Sequence, residues 1–289
     1  MVRDNYYVAG EFSPASSATF SFTTSGAHRI LFVGTNANSV STTITGMTYN
    51  GVAMTQIPVG STSMTGGASR TERLYLFYLI NPDSGTHNVV VTASGDITHG
   101  FNPIAVSYSD DNSDFIVDIT QKNVALGATS ISNVATTTED DMWAVSYVRN
   151  QSGTITDGSN YVGFNNNSIE MGDSNGSVGV AGSKTVTAGG PSGNMAMVTA
   201  FFGIVVSLDY QISGTVTLSA TPVETATVRC IAQSTNTTVA EQTTDASGNY
   251  TFTGLDSAEL YHLCVEYETG GTKYNAKSYW DIVPLEVEL

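Results

Sequence analysis

Short apolar stretches run along the whole chain, either alternating with polar residues or continuous, and clusters of Gly, Asn, Asp, Ser and Pro separate them. Such stretches are typical of β-strands, whereas an amphipathic helix needs apolar residues three and four positions apart over several turns. Before residue 209, no segment keeps that helical spacing for three turns without Gly or β-branched residues. We therefore expect an all-β protein. Strands are expected at residues 19–23, 28–33, 48–57, 73–80, 87–93, 104–109, 115–119, 142–148, 177–186 and 195–206.

The pattern predicts two domains with a boundary after residue 208. Residues 1–208 have the strand content of a jelly-roll-like β-sandwich, which is the expected assembly domain. Residues 209–289 hold about seven short apolar stretches, the number of strands in a smaller immunoglobulin-like sandwich. Within the first domain, Asn50-Gly51 is the best local turn signal, because both residues readily adopt the positive φ of a type I′ hairpin.

The charge of the chain excludes two classes of partner. Its 289 residues include only 10 Lys and Arg against 26 Asp and Glu, for a net charge of -16. Residues 1–208 carry seven basic and fifteen acidic residues, and residues 209–289 carry three and eleven, so each domain contributes −8. Non-specific binding to nucleic acid or to anionic membranes depends on clustered Lys and Arg. We therefore expect neither nucleic acid nor membrane as a partner.

The N-terminal sequence and the cysteines bear on where the protein is made. The first ten residues lack the apolar core of a secretory signal, so either a signal was cut away or the protein is made and assembled in a cytoplasm. Cys230 lies on the apolar face of its stretch, whereas Cys264 is out of phase with its apolar neighbours. Because alternate side chains of a strand leave on opposite faces, the two sulfurs are not expected to meet. Unpaired thiols suit a reducing compartment.

The second domain carries a recognisable signature. The run 244–255, Thr-Asp-Ala-Ser-Gly-Asn-Tyr-Thr-Phe-Thr-Gly-Leu, resembles that of carboxypeptidase regulatory-like (transthyretin-like) domains. The resemblance implies a rigid, non-catalytic spacer or docking module. Residues 261–284 resemble versions of this module found at the ends of virion proteins of tailed bacteriophages.

The first domain resembles a recurrent β-sandwich of phage structural proteins and bacterial surface proteins. The similarity lies in residues 30–33, 46–55, 73–82, 85–91 and 105–109 and covers most of residues 28–110. This resemblance brings no catalytic residues with it.

Two motifs suggest chemistry, and for both we favour a structural interpretation. Gly172-Asp-Ser174-Asn-Gly176 fits G-x-S-x-G, but a nucleophile elbow needs a strand before it and a helix after it, and neither is expected here. Asp110, Asn112 and Asp114 crowd oxygen donors that suit Ca²⁺. Their segment lacks the glycine and the glutamate of an EF-hand loop, so a solvated loop is the preferred interpretation. The four histidines show no zinc-ligand spacing.

Aromatic residues near the N-terminus are candidates for an interface. Tyr6, Tyr7 and Phe12 have no obvious core partner in the sequence, and we interpret them as an arm that packs on a neighbouring subunit. Packing on their own chain is the alternative. Trp280 is assigned to the core of the second sandwich.

Together these features predict a non-enzymatic structural protein of a tailed-phage virion, assembled in the host cytoplasm. We expect an accessory protein on the outer surface, either a capsid decoration protein or a head fibre, that binds other virion proteins and further copies of itself. A trimer is expected by analogy. The alternatives are a tail-associated, receptor-contacting protein and a bacterial lectin-like adhesin whose partner is a glycan. No cofactor is expected.

Overall fold

The computed structural model describes residues 1–39, 41–58, 60–66, 70–99, 101–111, 114–205, 209–256 and 259–287. All helix and strand assignments in these ranges are strands, which confirms the predicted all-β class. The chain forms two compact units, Met1–Val206 and Ser207–Leu289, divided beside the boundary expected from the sequence.

The first part of the larger unit is a jelly roll. Its strands are β1 (Val2–Val8), β2 (Ala15–Thr24), β3 (His28–Asn38), β4 (Ile44–Tyr49), β5 (Val52–Ala53), β6 (Thr55–Gln56), β7 (Thr62–Gly66), β8 (Arg70–Ile80), β9 (Gly85–Ile97) and β10 (Ile104–Asp110). The outer sheet has the order β2-β9-β4-β5, and the middle sheet has the order β1-β10-β3-β8-β6, with β7 also paired to β8. Most connections cross from one sheet to the other, and the two orders are those of an eight-stranded jelly roll with β6 and β7 added at one edge.

Burial along the strands follows their position in these sheets. In β2, every second residue from Ala18 to Thr24 is buried, because only one face of the outer sheet is covered. In β3, the eight residues from Ile30 to Ala37 are buried without interruption. Leu31 and Val33 pack against the outer sheet, whereas Ile30 and Phe32 pack on the opposite side of the middle sheet. The middle sheet is therefore covered on both faces.

A third sheet covers the second face of the middle sheet. Its strands are β11 (Asp114–Thr137), β12 (Trp143–Asn150), β13 (Val162–Gly163), β14 (Ile169–Asp173) and β15 (Gly182–Val205), in the order β11-β15-β12-β14-β13. We call it the ribbon sheet, because β11 and β15 pair along nearly their whole length, with a few bulges. Phe202 packs between the sheets, with its ring centroid 4.8 Å from that of Phe32 and 4.6 Å from that of Tyr108.

The ribbon folds back over its own sheet. Its register is irregular between Ala125 and Ser130, opposite the glycine-rich stretch of β15 around Gly193. Past this bend, Asn133 Nδ2 donates to Thr199 Oγ1 at 2.8 Å, a contact between the two halves of the ribbon. A third apolar cluster fills the space between the two halves of the bent ribbon. It contains Ile131, Val186, Ala188, Met195, Met197 and Phe201.

The jelly-roll prediction is therefore confirmed for residues 1–110, but its extension to residue 208 as one sandwich needs correction. Residues 114–205 form an additional sheet and a folded ribbon. The sequence pattern missed this because residues 189–193, Gly-Gly-Pro-Ser-Gly, read as a loop, although they belong to β15 where it bends.

The smaller unit is an immunoglobulin-like sandwich. Its strands are β16 (Asp209–Thr215), β17 (Thr217–Leu218), β18 (Thr221–Pro222), β19 (Thr227–Ala232), β20 (Thr237–Thr243), β21 (Asn249–Phe252), β22 (Tyr261–Thr269), β23 (Thr272–Ile282) and β24 (Leu285–Val287). One sheet has the order β20-β19-β22-β23, the other has β21-β16-β24, and β17 pairs with β18. Their core includes Ile212, Val228, Tyr250 and Leu263. The side chain of Trp280 lies outside the described residues.

The predicted separation of the cysteines is confirmed. Cys230 pairs in register with Leu263, and Cys264 pairs with Arg229, so the two sulfurs lie on opposite faces of the same sheet. Both thiols are free, and burial raises the pKa of Cys230 to about 11, which keeps it protonated at neutral pH.

Candidate functional site

The acidic segment between β10 and β11 uses its carboxylates to connect strands. Asp110 lies 2.6 Å from the Met1 ammonium group. Asp114 accepts hydrogen bonds from Asn81 Nδ2 at 3.0 Å and from His28 Nδ1 at 2.7 Å, and these two bonds hold the pKa of Asp114 below its usual value. Asn112 lies outside the described residues. Among the residues the structure does describe, no three acidic, His or Cys side chains are grouped as metal ligands.

Ser174 is part of a turn that holds two strands together. Its hydroxyl donates to the Gly176 carbonyl at 2.5 Å and accepts from the Ala144 amide at 3.1 Å. Asp173, beside it in β14, turns away toward the middle sheet. The G-x-S-x-G motif therefore lies after a strand and before an irregular segment, which does not match the strand-to-helix setting of a nucleophile elbow.

Asp173 belongs to a buried polar cluster between the middle and ribbon sheets. Its carboxylate accepts from Arg3 Nη1 at 3.2 Å and from Tyr108 Oη at 2.9 Å. Burial raises the pKa of Asp173, and the nearby Arg3 guanidinium partly offsets that effect. The pKa of Tyr108 is raised strongly by burial and by the Asp173 charge, so the phenol remains a proton donor.

A second buried cluster connects the same two sheets between β8 and β12. Arg149 Nε donates to the two carboxylate oxygens of Glu72 at 3.0 and 3.2 Å, and Asn36 Nδ2 donates to Glu72 Oε1 at 2.8 Å. Arg149 also donates to the Ser168 carbonyl and hydroxyl. Glu72 is almost fully buried, so these donors compensate for the water it has lost.

Sequence reasoning missed both clusters. The partners in the first are 170 and 65 residues apart, and Arg149 and Glu72 are 77 apart. Only the stacking of the two sheets brings them together. The available signal was weak: Glu72 and Arg149 are charged residues inside or at the end of strongly apolar strands, where charges need a partner.

The N-terminal aromatic residues lie at an exposed edge of the jelly roll, which differs from the expected separate arm. β1 pairs with β10 of its own chain. The ring of Tyr6 lies 5.2 Å from that of Phe164, that of Tyr7 stacks 5.7 Å from that of Phe20, and Phe12 packs edge-on to Phe101. These contacts fit the alternative of packing on their own chain, whereas contact with a neighbouring subunit stays a prediction.

β1 nevertheless leaves a surface that can bind another molecule. It is the last strand of the middle sheet, and no described strand pairs with its outer edge. Tyr6 is 47% exposed and Tyr7 is 45% exposed, and Val2 and Val8 are also exposed. Unpaired backbone groups beside exposed apolar side chains are suited to pairing with another strand. We call residues 2–8 the β1 edge.

Comparison with known proteins adds little to this geometry. No family model matches the chain, and no curated protein matches it. One similar solved structure is that of BcpA, the major pilin subunit of Bacillus cereus, at 9% sequence identity over 94% of this chain and 95% of the pilin. Its TM-score of 0.23 is too low to support any conclusion about function. In the described part of the chain, no helix is long and apolar enough to cross a bilayer.

Proposed function

We propose that this protein is a non-enzymatic structural component of a tailed-phage virion, acting by adhesion to other virion proteins on the outer surface of the particle. Capsid decoration and head-fibre roles both fit this proposal, as does a tail-associated role. The sequence resemblance of both domains to phage structural proteins supports it.

The observation that carries the proposal is the β1 edge. A strand with an unpaired outer edge and half-exposed tyrosines on both faces offers backbone hydrogen bonds and apolar contact without any basic residue cluster. Such contacts suit a chain with a net charge of -16, because its few basic residues cannot attract an acidic partner.

Polar contacts that hold β1 in place support its role as an interface. Arg3 and Asp173 fix β1 to the ribbon sheet, and Asp4 accepts from the Ser25 amide at 2.8 Å and from the Ser107 hydroxyl at 2.9 Å. The β1 edge is thus held in place before any partner arrives. A preformed interface loses less conformational entropy on binding.

Size-exclusion chromatography with light scattering, on the full chain at micromolar concentration, tests this role of the β1 edge. We expect homo-oligomers at multiples of 30.4 kDa, with a trimer as the specific expectation, and a shift to monomer in Tyr7→Lys, because a charge on an edge strand opposes pairing. Val180→Lys is the matched control, since Val180 is an exposed apolar residue of the same unit outside any strand. A wild-type protein that stays monomeric at micromolar concentration, or equal assembly of Tyr7→Lys, would contradict the proposal.

A glycan-binding adhesin is the second candidate. It is favoured by a tyrosine-lined cleft in the smaller unit.

A further inference from the structure

The smaller unit has an open cleft of about 480 Å³ along one side of its sandwich. One wall is β16 and the residues that follow it, up to Leu218, and the other wall is formed by β22 and β23. Four tyrosines line it: Tyr250, Tyr267, Tyr274 and Tyr279. The volume falls within the roughly 300–1,000 Å³ typical of small-molecule sites.

Strand topology creates this cleft. β24 pairs only with Asp209, Tyr210 and Gln211 of β16, and β23 is the last strand of the opposite sheet. Beyond Gln211, no described strand covers the β16 edge on this side. Core residues between the sheets can therefore be reached from solvent.

Among the side chains that the structure describes, the lining combines aromatic faces with hydroxyl groups and includes no charged group. Ser213, Thr215 and Thr217 lie along the β16 wall, and none of the described lining side chains belongs to Asp, Glu, Lys, Arg or His. The domain around the cleft has eleven acidic and three basic residues. These acidic surroundings disfavour an anionic ligand, and the described lining side chains offer no carboxylate to a cation.

The tyrosines are held in defined positions. Gly214 is the register partner of Tyr250, and a Cβ added at Gly214 would lie 2.4 Å from the Tyr250 hydroxyl. A side chain at this position would therefore displace the phenol, whereas glycine lets it lie against β16. At the other end, the rings of Tyr267 and Tyr274 stack with centroids 5.8 Å apart. Tyr279, at 46% exposure, presents its ring at the mouth of the cleft.

We propose that this cleft binds a neutral saccharide. Sugars present apolar C–H faces that pack on aromatic rings and hydroxyls that bond to Ser, Thr and Tyr, and this cleft offers both. An extended peptide is less well suited, since strand addition gains from a long unpaired edge and the free stretch of β16 here is short. The site goes beyond the proposed structural role and does not depend on the β1 edge.

The test applies the full-length protein to an array of neutral and sialylated oligosaccharides, followed by calorimetric titration with the neutral glycan that gives the strongest signal. Tyr279→Ala should weaken that binding by about tenfold or more, because it removes an exposed aromatic ring on which the sugar packs. Tyr279→Phe keeps the ring and should lose less. Leu260→Ala, at a 42% exposed residue outside the cleft, should bind as the wild type does.

Three results would overturn the proposal: no neutral glycan retained on the array, retention of sialylated glycans alone, or Tyr279→Ala binding as tightly as Leu260→Ala. Tyr279→Phe guards against misfolding as the cause of a loss, since it preserves the packing of the ring. Tyr7→Lys should leave glycan binding unchanged, so failure of this site and failure of the proposed assembly role give different results.

Discussion

The two units bury polar groups in different ways. In the larger unit, the buried carboxylates of Glu72 and Asp173 lie between sheets and are paired with arginines. In the smaller unit, the described ion pairs lie at the surface, where Arg229 contacts Glu241 and Glu266. A buried charge stabilises one arrangement of its neighbours, because any other arrangement leaves it unpaired. The larger unit therefore has its sheet stacking specified by ion pairs, whereas the smaller unit depends on apolar packing.

The largest loss of stability is expected when an arginine of a buried ion pair is removed from the larger unit. Arg149→Ala leaves Glu72 buried with weaker compensation, and we expect a loss of about 3–5 kcal/mol in the free energy of unfolding. Denaturant titration in a Trp280→Phe background measures it, because Trp143 then reports on the larger unit alone. The double variant Glu72→Leu/Arg149→Met should recover most of the loss. A loss below about 1 kcal/mol in the single variant would contradict the role of the pair.

The second largest loss of stability is expected where the middle and ribbon sheets approach each other closely. A Cβ at Gly34 of β3 would lie 2.3 Å from Tyr147 Cδ2 of β12. Gly34→Ala should therefore cost about 1–3 kcal/mol by forcing the two sheets apart. The control is Gly46→Ala in the outer sheet, where no atom lies within 4 Å of the added Cβ. Equal thermal stability of the two variants would show that the sheets tolerate separation.

One carboxyl group in each unit should make folding stability depend on pH, and the two dependences should have opposite signs. Burial raises the pKa of Glu170 above its usual 4.5, so the folded state keeps this proton to a higher pH than the unfolded state does. The stability that Glu170 contributes is therefore lost as the pH rises through its folded-state pKa. Backbone hydrogen bonds from Asn249 and Ser247 lower the pKa of Asp245 below 3.8, so its contribution is present above that pH and is lost on acidification through the folded pKa.

Urea titrations from acid to neutral pH measure the sign of these two pH dependences. The stability of Glu170→Gln relative to wild type should rise from acid to neutral pH, whereas the cost of Asp245→Asn should shrink on going to acid. The same pH trend in both variants would contradict the comparison.

The smallest effect is expected at the surface pair of the smaller unit. Arg229 is partly exposed, and the hydrogen bonds that it donates to Glu241 and Glu266 raise its pKa. Exposed pairs contribute little, because water and salt screen them. Arg229→Ala should leave the unfolding midpoint of the smaller unit, followed by Trp280 in a Trp143→Phe background, essentially unchanged. A shift as large as that of Arg149→Ala would remove the distinction between the units.

Local features of the fold were predictable from sequence. The Asn50-Gly51 turn is confirmed, with φ of 48° and 78° and Tyr49 paired to Val52, because its geometry depends only on these residues. The opposite faces of Cys230 and Cys264 followed from strand periodicity in the same way. Features that depend on distant strands did not follow from local pattern.

The unpredicted features depend on how sheets stack. The ribbon bends at residues 189–193, where local composition indicates a loop but pairing with β11 continues around it. Arg3 and Asp173 meet only because the ribbon sheet covers the middle sheet. The cleft of the smaller unit depends on where β24 stops pairing, which no residue pattern encodes. The tyrosines of the proposed saccharide site are visible in the sequence, but their position around one cleft is not.

We propose that the protein acts as a structural component of a tailed particle, and its copy number in purified particles tests this proposal most directly. Quantitative mass spectrometry of particles purified from lysates by density gradient, after nuclease and salt washes, supplies the number. The account predicts a fixed ratio to the major capsid or tail protein that falls sharply when the protein carries Tyr7→Lys. Recovery of the wild-type protein only in the particle-free fraction would contradict it.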